Sequence, residues 1–492
     1  MKKIKNIKYI VLVLIGLMGT TSCKKYLTVN PKTQMTQDVL YSSQGGFKDA
    51  LTGAYIQFKS IQLYGLNMTM LTPEQLISNW DVTSGSVEQK LGLFNFTDGT
   101  VDARMSGIYS NEYAVIASVN AILAQIDVNK SVLTTPGLYE LIKGECLAMR
   151  AYCHFDLLRI WGPIPSAVPT GNIMPPYVTV LSKEANPLIS YTQFQTLLLK
   201  DLADAETLLK TVDPIVNYSM LDLGRPGSTA TSFNPSDTYF AYRYLRLNYY
   251  AVKALQARAN LWFNKPADAY AAAKVVINAV NPDGSTKFRL GTASDMTAKD
   301  YALTCEHIFG IYDFSLSATY ALFFGNGTLK KGTAATTVTS QLYGGTGTDI
   351  REVNLWVLIT QPNQAKTYVC QKYNVPATAG TGSADLNRIP LLRLSEMYFI
   401  AVETTTDLVE AQTLWNAFRT ARNITTATLP VDPIQLQTAL TTEYRKEFIA
   451  EGQAFFAYKR LNSPKANILW VPTAATPNYL FPMPKTESLA TN

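Results

Sequence analysis

The sequence predicts a mostly α-helical protein whose helices pair as degenerate repeats, interrupted by a long loop-rich excursion containing small β elements. Three observations predict this. Apolar residues recur at three- and four-residue spacing in a succession of blocks between residues 47 and 461. Residues 247–282 read as two helices joined by a Pro-marked turn, with alanines where the helices must approach. Over 281–390 the helical period gives way to Thr, Gly and Tyr, with short β-prone runs such as HIFGIYDF and KTYVCQKYNV. Ordinary connections are far shorter, so this stretch is either a subdomain or functional.

The chain opens differently. Lys2, Lys3, Lys5 and Lys8 precede an apolar run at residues 9–18. That run has the length of a signal-peptide core and falls short of the roughly 20 residues a bilayer span requires. Gly19, Thr20, Thr21 and Ser22 then lead to Cys23, an arrangement similar to a bacterial lipobox, although Thr20 stands where a leucine-like residue is usual. The expectation is a signal peptide over 1–22, a lipidated Cys23 and one domain over 23–492. Acyl chains bury CH₂ groups at about 0.8 kcal/mol each, so an anchored protein needs no further hydrophobic span.

Helices are expected at 47–62, 111–126, 139–161, 191–210, 242–263, 266–280, 391–403, 408–422 and 434–461. Their ends carry physical signals. Asp432 can cap a helix with Pro433 in its first turn, where a missing N–H costs nothing, and GPIP at 162–165 stops the helix before it. The pair at 247–282 resembles a tetratricopeptide repeat, with Asn260 and Ala273 where larger residues usually pack. LLRLSEMYFIAVE and LVEAQTLWNAFRTARN repeat the shape without a strict period.

Charge excludes one class of partner. The formal +6 includes four signal lysines and no signal acids, leaving 6 − 4 = +2 on residues 23–492. Nothing there favours nucleic acid. With His154 and His307 as the only histidines and neither in a Cys/His cluster, no metal site or cofactor is expected. Cys146 and Cys153 lie two helical turns apart, about 10.5 Å, beyond the ~7 Å reach of a disulfide. Cys305 and Cys370 could pair only if the fold brought them together, and the simplest reading of these thiols is as buried small hydrophobes. Against 16% charged residues stand 28 Tyr, 20 Phe and 6 Trp, more aromatic surface than a helical core needs, so some should face outward.

Taken in order, the lipobox with CKKYLTVNP, the GECLAMRAYCHFDLLRIWGPIP helix, VKALQARANLW, IPLLRLSEMYFIAVE and EYRKEFIAEGQAFFAYKRLN resemble the SusD/RagB family of Bacteroidetes outer-membrane lipoproteins. Each motif is weak alone, but five in register span nearly the whole chain. The resemblance implies a tetratricopeptide-like helical scaffold packed against a loop-rich half with small sheets. It also implies a lipid-anchored protein at the outer face of the outer membrane. Such a protein binds oligomeric nutrient, most often glycan and in some cases peptide, and hands it to a SusC-like TonB-dependent transporter. Two other readings are a glycoside hydrolase, which needs two carboxylates about 5–9.5 Å apart that no stretch marks, and a helical adaptor without ligand.

The motifs have local explanations of their own. Leu147, Ala151, Phe155 and Leu158 form a buried stripe, and Arg150 and His154 beside it read as a structural pair. Tyr444, Phe448 and Phe455 line one face of the last helix, with Arg445, Glu447, Glu451, Lys459 and Arg460 as salt-bridge partners. A binder of neutral oligomers needs aromatic faces for sugar rings and polar groups for hydroxyls. ISNWDVTSGS offers Asn79, Trp80 and Asp81, FNF offers Phe94 and Asn95, and YALFFGNG offers Tyr320, Phe323, Phe324 and Asn326. Trp80 could equally be packed under its loop, while core or loop packing is the favoured reading of the FNF and YALFFGNG residues, so Trp80 is the residue to mutate first.

Overall fold

A computed structural model of the chain describes residues 36–182, 184–229, 231–375, 386–485 and 487; the lipobox and Cys23 lie outside the described residues. The longer helices are α1 (Gln44–Phe58), α2 (Gly99–Ile126), α3 (Leu138–Trp161), α4 (Tyr191–Leu209), α5 (Tyr249–Trp262), α6 (Pro266–Ile277), α7 (Ala335–Tyr343), α8 (Leu394–Thr404), α9 (Leu408–Ala421), α10 (Pro433–Glu447) and α11 (Ala454–Arg460). Neighbours in sequence pack side by side from α1 to α6; α6 then meets α8, which meets α9 and α10. Each helix thus covers the apolar stripe of the one before it, as in a tetratricopeptide-like stack. Ala257, Ala269 and Ala273 are fully buried, as the close approach of α5 and α6 requires.

Local signals account for the helix ends. Asp432 accepts a hydrogen bond from Gln435 N–H at 2.9 Å, with Pro433 in the first turn. The α3 helix stops at Trp161, where a side chain on Gly162 would stand 2.4 Å from the Leu158 carbonyl. Asp98 caps α2 through Thr100 N–H (2.8 Å), which starts that helix a dozen residues before the expected 111.

Two expected helices are corrected. The 434–461 helix is broken into α10 and α11, because Gly452 has φ of 74° and its N–H is drawn to the Glu74 carboxylate at 2.9 Å. The expected start at 391 belongs to a strand, since residues 388–393 pair with an earlier segment of the excursion.

The expected small sheets are present, two of them in the excursion and one, β1–β2, ahead of it. Antiparallel pairs form between β1 (Asn172–Met174) and β2 (Ile189–Ser190), and between β3 (His307–Tyr312) and β6 (Arg388–Arg393). A third joins β4 (Trp356–Thr360) to β5 (Lys366–Cys370). The β-prone runs HIFGIYDF and KTYVCQKYNV supply β3 and β5.

A buried ionic seam ties this half to the helices. Glu447 of α10 accepts from Arg351 (3.1 Å), Arg393 (2.8 Å) and Arg422 (2.6 Å). Glu306 accepts from Arg393 (3.3 Å) and Arg422 (2.6 Å), and Glu451 from Lys372 (2.6 Å) and Arg393 (3.0 Å). Arg351 also reaches Asp349 and Glu443 at 2.7 and 2.8 Å. All of these groups are buried, and Glu447 is held well below the usual carboxylate range because the Arg422 and Arg393 guanidiniums outweigh its desolvation.

The seam explains the conspicuous charges of EYRKEFIAEGQAFFAYKRLN, with three exceptions. Lys459 pairs with no carboxylate among the described residues: its ammonium donates to the carbonyls of Ile160 (2.6 Å) and Gly162 (2.9 Å), and burial pushes its pKa well down. Arg445 donates to the Ile77 carbonyl at 2.8 Å and lies 5.0 Å from the Trp470 ring centre. Arg460 does bind a carboxylate, Glu403, at 2.7 Å.

The Arg150 and His154 pair is structural, as expected. Arg150 clamps Asp201 at 2.7 and 2.8 Å, while His154 Nδ1 bonds the Arg150 carbonyl and Nε2 accepts from Val178 N–H, both at 2.9 Å. Burial lowers its pKa to about 3, so the ring is neutral. Cys146, Cys153, Cys305 and Cys370 are all free, and one apolar core extends from Tyr41 to Phe481.

Candidate ligand-binding cleft

Two stretches distant in sequence, 78–86 and 320–332, meet at one corner of the molecule. Asp81 makes the join: its N–H donates to the Lys330 carbonyl at 2.8 Å, and its carboxylate takes the Lys331 ammonium at 2.8 Å and Gly332 N–H at 2.6 Å. Lys331 is buried and also donates to the Ser78 carbonyl (3.1 Å). Burial lowers its pKa, with Asp81 opposing the shift.

Trp80, the leading candidate for an exposed platform, is turned inward. It is 2% exposed, its indole N–H donates to the Met70 carbonyl at 2.8 Å, and its ring meets Phe324 edge-on at 5.5 Å and Trp356 at 6.3 Å. A ring enclosed on all sides cannot receive a sugar. Asn79 and Phe324 are buried with it, Asn79 donating to Glu74 at 2.6 Å. Phe94 is also buried, and its neighbour Phe96 packs on Phe481 at 4.3 Å, so the Phe94–Asn95 stretch faces the C-terminal segment. These four side chains support the corner and offer no accessible face. Asp81, Asn95 and Asn326 are exposed, and Tyr320 and Phe323 are half-buried.

Beside the join lies a cleft of about 290 Å³, near the small end of ligand-site volumes. Its floor is Leu66, Leu71 and Val82, and Phe323 forms an aromatic wall. Around them stand Gln62, Asn67, Thr83 and Ser86, with Glu88 and Arg104 at one side. The chain folds so for local reasons. After α1 a wide turn over Asn67–Leu71 presents Asn67 toward Gln62, to which it donates at 3.3 Å. Ser86 caps the short helix Val87–Gly92 through Gln89 N–H (3.2 Å), which places Glu88 beside Arg104 of α2 at 3.1 Å. The other terminal nitrogen of Arg104, Nη1, is buried with no acceptor. An apolar floor, one aromatic wall and a ring of amides and hydroxyls match the amphipathic surface of a sugar ring.

Of the sequence candidates, Phe323 lines this cleft, and Asp81 and Asn326 stand next to its lining residues. Sequence reasoning missed Gln62, Asn67, Thr83 and Arg104, which sit in helices or turns without an aromatic signal. It also missed Trp470, half-buried at φ of 68°, with Lys331 4.3 Å from its ring centre and Gln341 accepting its N–H at 2.7 Å. A larger hollow of about 530 Å³ lies between α1 and residues 237–246. Its Lys48 and Arg246 are already engaged by Asp237 and Glu145, which leaves it less to offer a ligand.

The helical stack and its loop-borne cleft define a class of tetratricopeptide-like scaffold proteins, and comparison with known proteins narrows it. Residues 25–213 match the family model described as "Starch-binding associating with outer membrane". Two curated relatives from Formosa agariphila, SusD-like proteins P25 and P38, are each 24% identical, over 32% and 45% of this chain. The chain spans 31% and 41% of those relatives' lengths. A SusD-like carbohydrate binding protein from Bacteroides vulgatus superposes with a TM-score of 0.65 at 17% identity, covering 91% of this chain and 96% of that one. A SusD superfamily protein from Bacteroides thetaiotaomicron gives 0.61 at 19% identity, covering 91% and 98%. The chain is thus similar to SusD-like proteins, in sequence over residues 25–213 and in fold over nine-tenths of its length.

Proposed function

We propose that the protein is a cell-surface lipoprotein that binds an oligosaccharide in the 290 Å³ cleft and passes it to a SusC-like TonB-dependent transporter. The observation that carries the reading is that Phe323 lines one cleft together with the apolar Leu66, Leu71 and Val82 and the polar Gln62, Asn67, Thr83 and Arg104. The family description, starch binding in association with the outer membrane, supports the same reading. So does the likeness in fold to the Bacteroides vulgatus SusD-like carbohydrate binding protein.

Binding without catalysis fits the cleft better than hydrolysis. Glu88 is the carboxylate in its described lining, and Arg104 engages it, whereas glycosidic cleavage needs two carboxyl groups in complementary protonation states. Anchoring through Cys23 supplies the membrane association, since no described helix is long and apolar enough to cross a bilayer.

A glycan array followed by calorimetry tests the site. Phe323→Ala should weaken binding of the selected oligosaccharide by about 1–3 kcal/mol, taking base–aromatic stacking as a proxy, at an unchanged melting temperature. Full affinity in that variant would remove the cleft from consideration. The bound glycan should not be shortened on incubation. Cys23→Ala should release the protein from the outer-membrane fraction, and a variant that still pellets with that fraction would rule out the anchor.

A further inference from the structure

A second cavity, sharing no lining residue with the cleft, opens between the short helix Met220–Gly224 and the segment around residues 286–305. Its volume is about 360 Å³. Four cations line it, Arg225, Lys287, Arg289 and Arg388, against two acids, Asp295 and Asp300.

The acids are committed within the fold. Asp295 forms a two-pronged bond with Arg289 at 2.6 and 2.8 Å and caps the turn at Thr292. Asp300 is nearly buried, takes Thr304 N–H and hydroxyl on one oxygen at 2.8 and 2.7 Å, and its other oxygen has no hydrogen-bond partner. Burial raises its pKa, which weakens it as a counter-charge.

Lys287 is the unusual member. It is 5% exposed, and its ammonium donates to two neutral oxygens, the Tyr218 carbonyl (2.8 Å) and Asn281 Oδ1 (3.0 Å). Among the described residues no carboxylate lies within ion-pairing distance of it. A buried ammonium normally acquires an anionic partner. Here desolvation takes its pKa down to about 8, although Asp222, Asp213 and Asp283 act on it from farther away. Arg225 at the mouth is exposed and has no ion-pair partner among the described residues, and the Arg388 guanidinium lies 4.8 Å from the Tyr244 ring centre along the wall.

We infer that this cavity is a binding site for a small oxyanion group, held by Lys287 within and Arg225 at the mouth. The group is a carboxylate, sulfate or phosphate. It can arrive as a free inorganic ion or as the charged substituent of a sugar. The inference does not rest on the neutral-oligosaccharide reading of the other cleft, because the two sites have no lining residue in common.

Calorimetric titration and thermal melting with sodium sulfate, inorganic phosphate and glucuronate, each against sodium chloride at matched ionic strength, test it. Saturable binding of at least one probe is expected, with a melting temperature above that in chloride. Sulfate or phosphate binding more tightly than glucuronate would mark a sulfate- or phosphate-type group, with glucose 6-sulfate against inorganic sulfate then separating a sugar substituent from a free ion, and the reverse order would mark a sugar-borne carboxylate. Arg225→Ala, which removes an exposed side chain and leaves the fold intact, should weaken the probe at least tenfold, and Lys287→Met should abolish binding. The inference is overturned if all three probes behave as chloride does, or if a saturable probe binds Arg225→Ala as tightly as the wild type. A Phe323→Ala control should bind the anion normally, which separates failure here from failure of the oligosaccharide cleft.

Discussion

Trp80 and Glu74 show how far a single side chain can be read from sequence. A tryptophan between Asn79 and Asp81 reads as a loop platform, yet the rings that enclose it, Phe324 and Trp356, come from more than 240 positions away. No local pattern reports such partners. Trp80→Ala should therefore cost about 3–5 kcal/mol of folding stability through lost burial and a residual cavity, and a thermal melt of the variant checks this. Below it, Glu74 is fully buried, and desolvation raises its pKa from 4.5 to about 7, with the bonds from Asn79 and Gly452 opposing the shift. Because the folded pKa lies above the unfolded one, the group's contribution is whole below about pH 4.5 and is lost as pH rises through about 7. Glu74→Gln mimics the protonated acid. It should stabilise the protein at pH 8 by roughly 2–3 kcal/mol and change little at pH 4, as denaturant melts at the two pH values would report.

At the scale of elements, periodicity marks the helical stack well because each helix buries one stripe against the next. α3, α4 and α9 fall within a residue or two of their expected bounds. Where a tertiary contact sets the backbone, the pattern misleads. The apolar period runs unbroken through 448–453, yet Gly452 takes φ of 74° and a Cβ there would sit 2.3 Å from the Met68 carbonyl. Gly452→Ala should destabilise by more than the 1–2 kcal/mol of a left-handed residue alone, since backbone oxygen must also move. Denaturant unfolding would measure it, and a loss under 1 kcal/mol would show that the break between α10 and α11 is tolerant. The cleft was legible in part for the same reason: its aromatic wall stands out in YALFFGNG, whereas Gln62, Asn67 and Arg104 are ordinary helix and turn residues until the fold gathers them.

On the scale of the whole molecule, the ionic seam decides how the loop-rich half holds to the scaffold. Removing Glu447 strips three guanidiniums of a shared counter-charge in a buried setting. Glu447→Ala should cost about 3–5 kcal/mol, the range for breaking one partner out of a buried pair. The loss should persist at 1 M salt, because buried charges are little screened. A destabilisation that vanished in high salt would mean the seam is solvated. The sequence announced charged residues in the last helix but not their sharing, which depends on Glu306, Arg351, Lys372, Arg393 and Arg422 converging from separate elements.

That convergence sets a timetable for the chain as it is made. Arg351, Lys372, Arg393 and Arg422 leave the ribosome before Glu443, Glu447 and Glu451, the acids that settle most of their charge. Until α10 emerges, four cations of the middle region would have to be buried short of counter-charge, so closing that region early is disfavoured. The middle region of the nascent protein is thereby kept open until residues 443–451 have emerged. Nascent chains halted ahead of residue 443 should be cut readily by protease within residues 300–425, and the released full-length chain should resist; equal sensitivity of the two would mean the middle region closes without its acids.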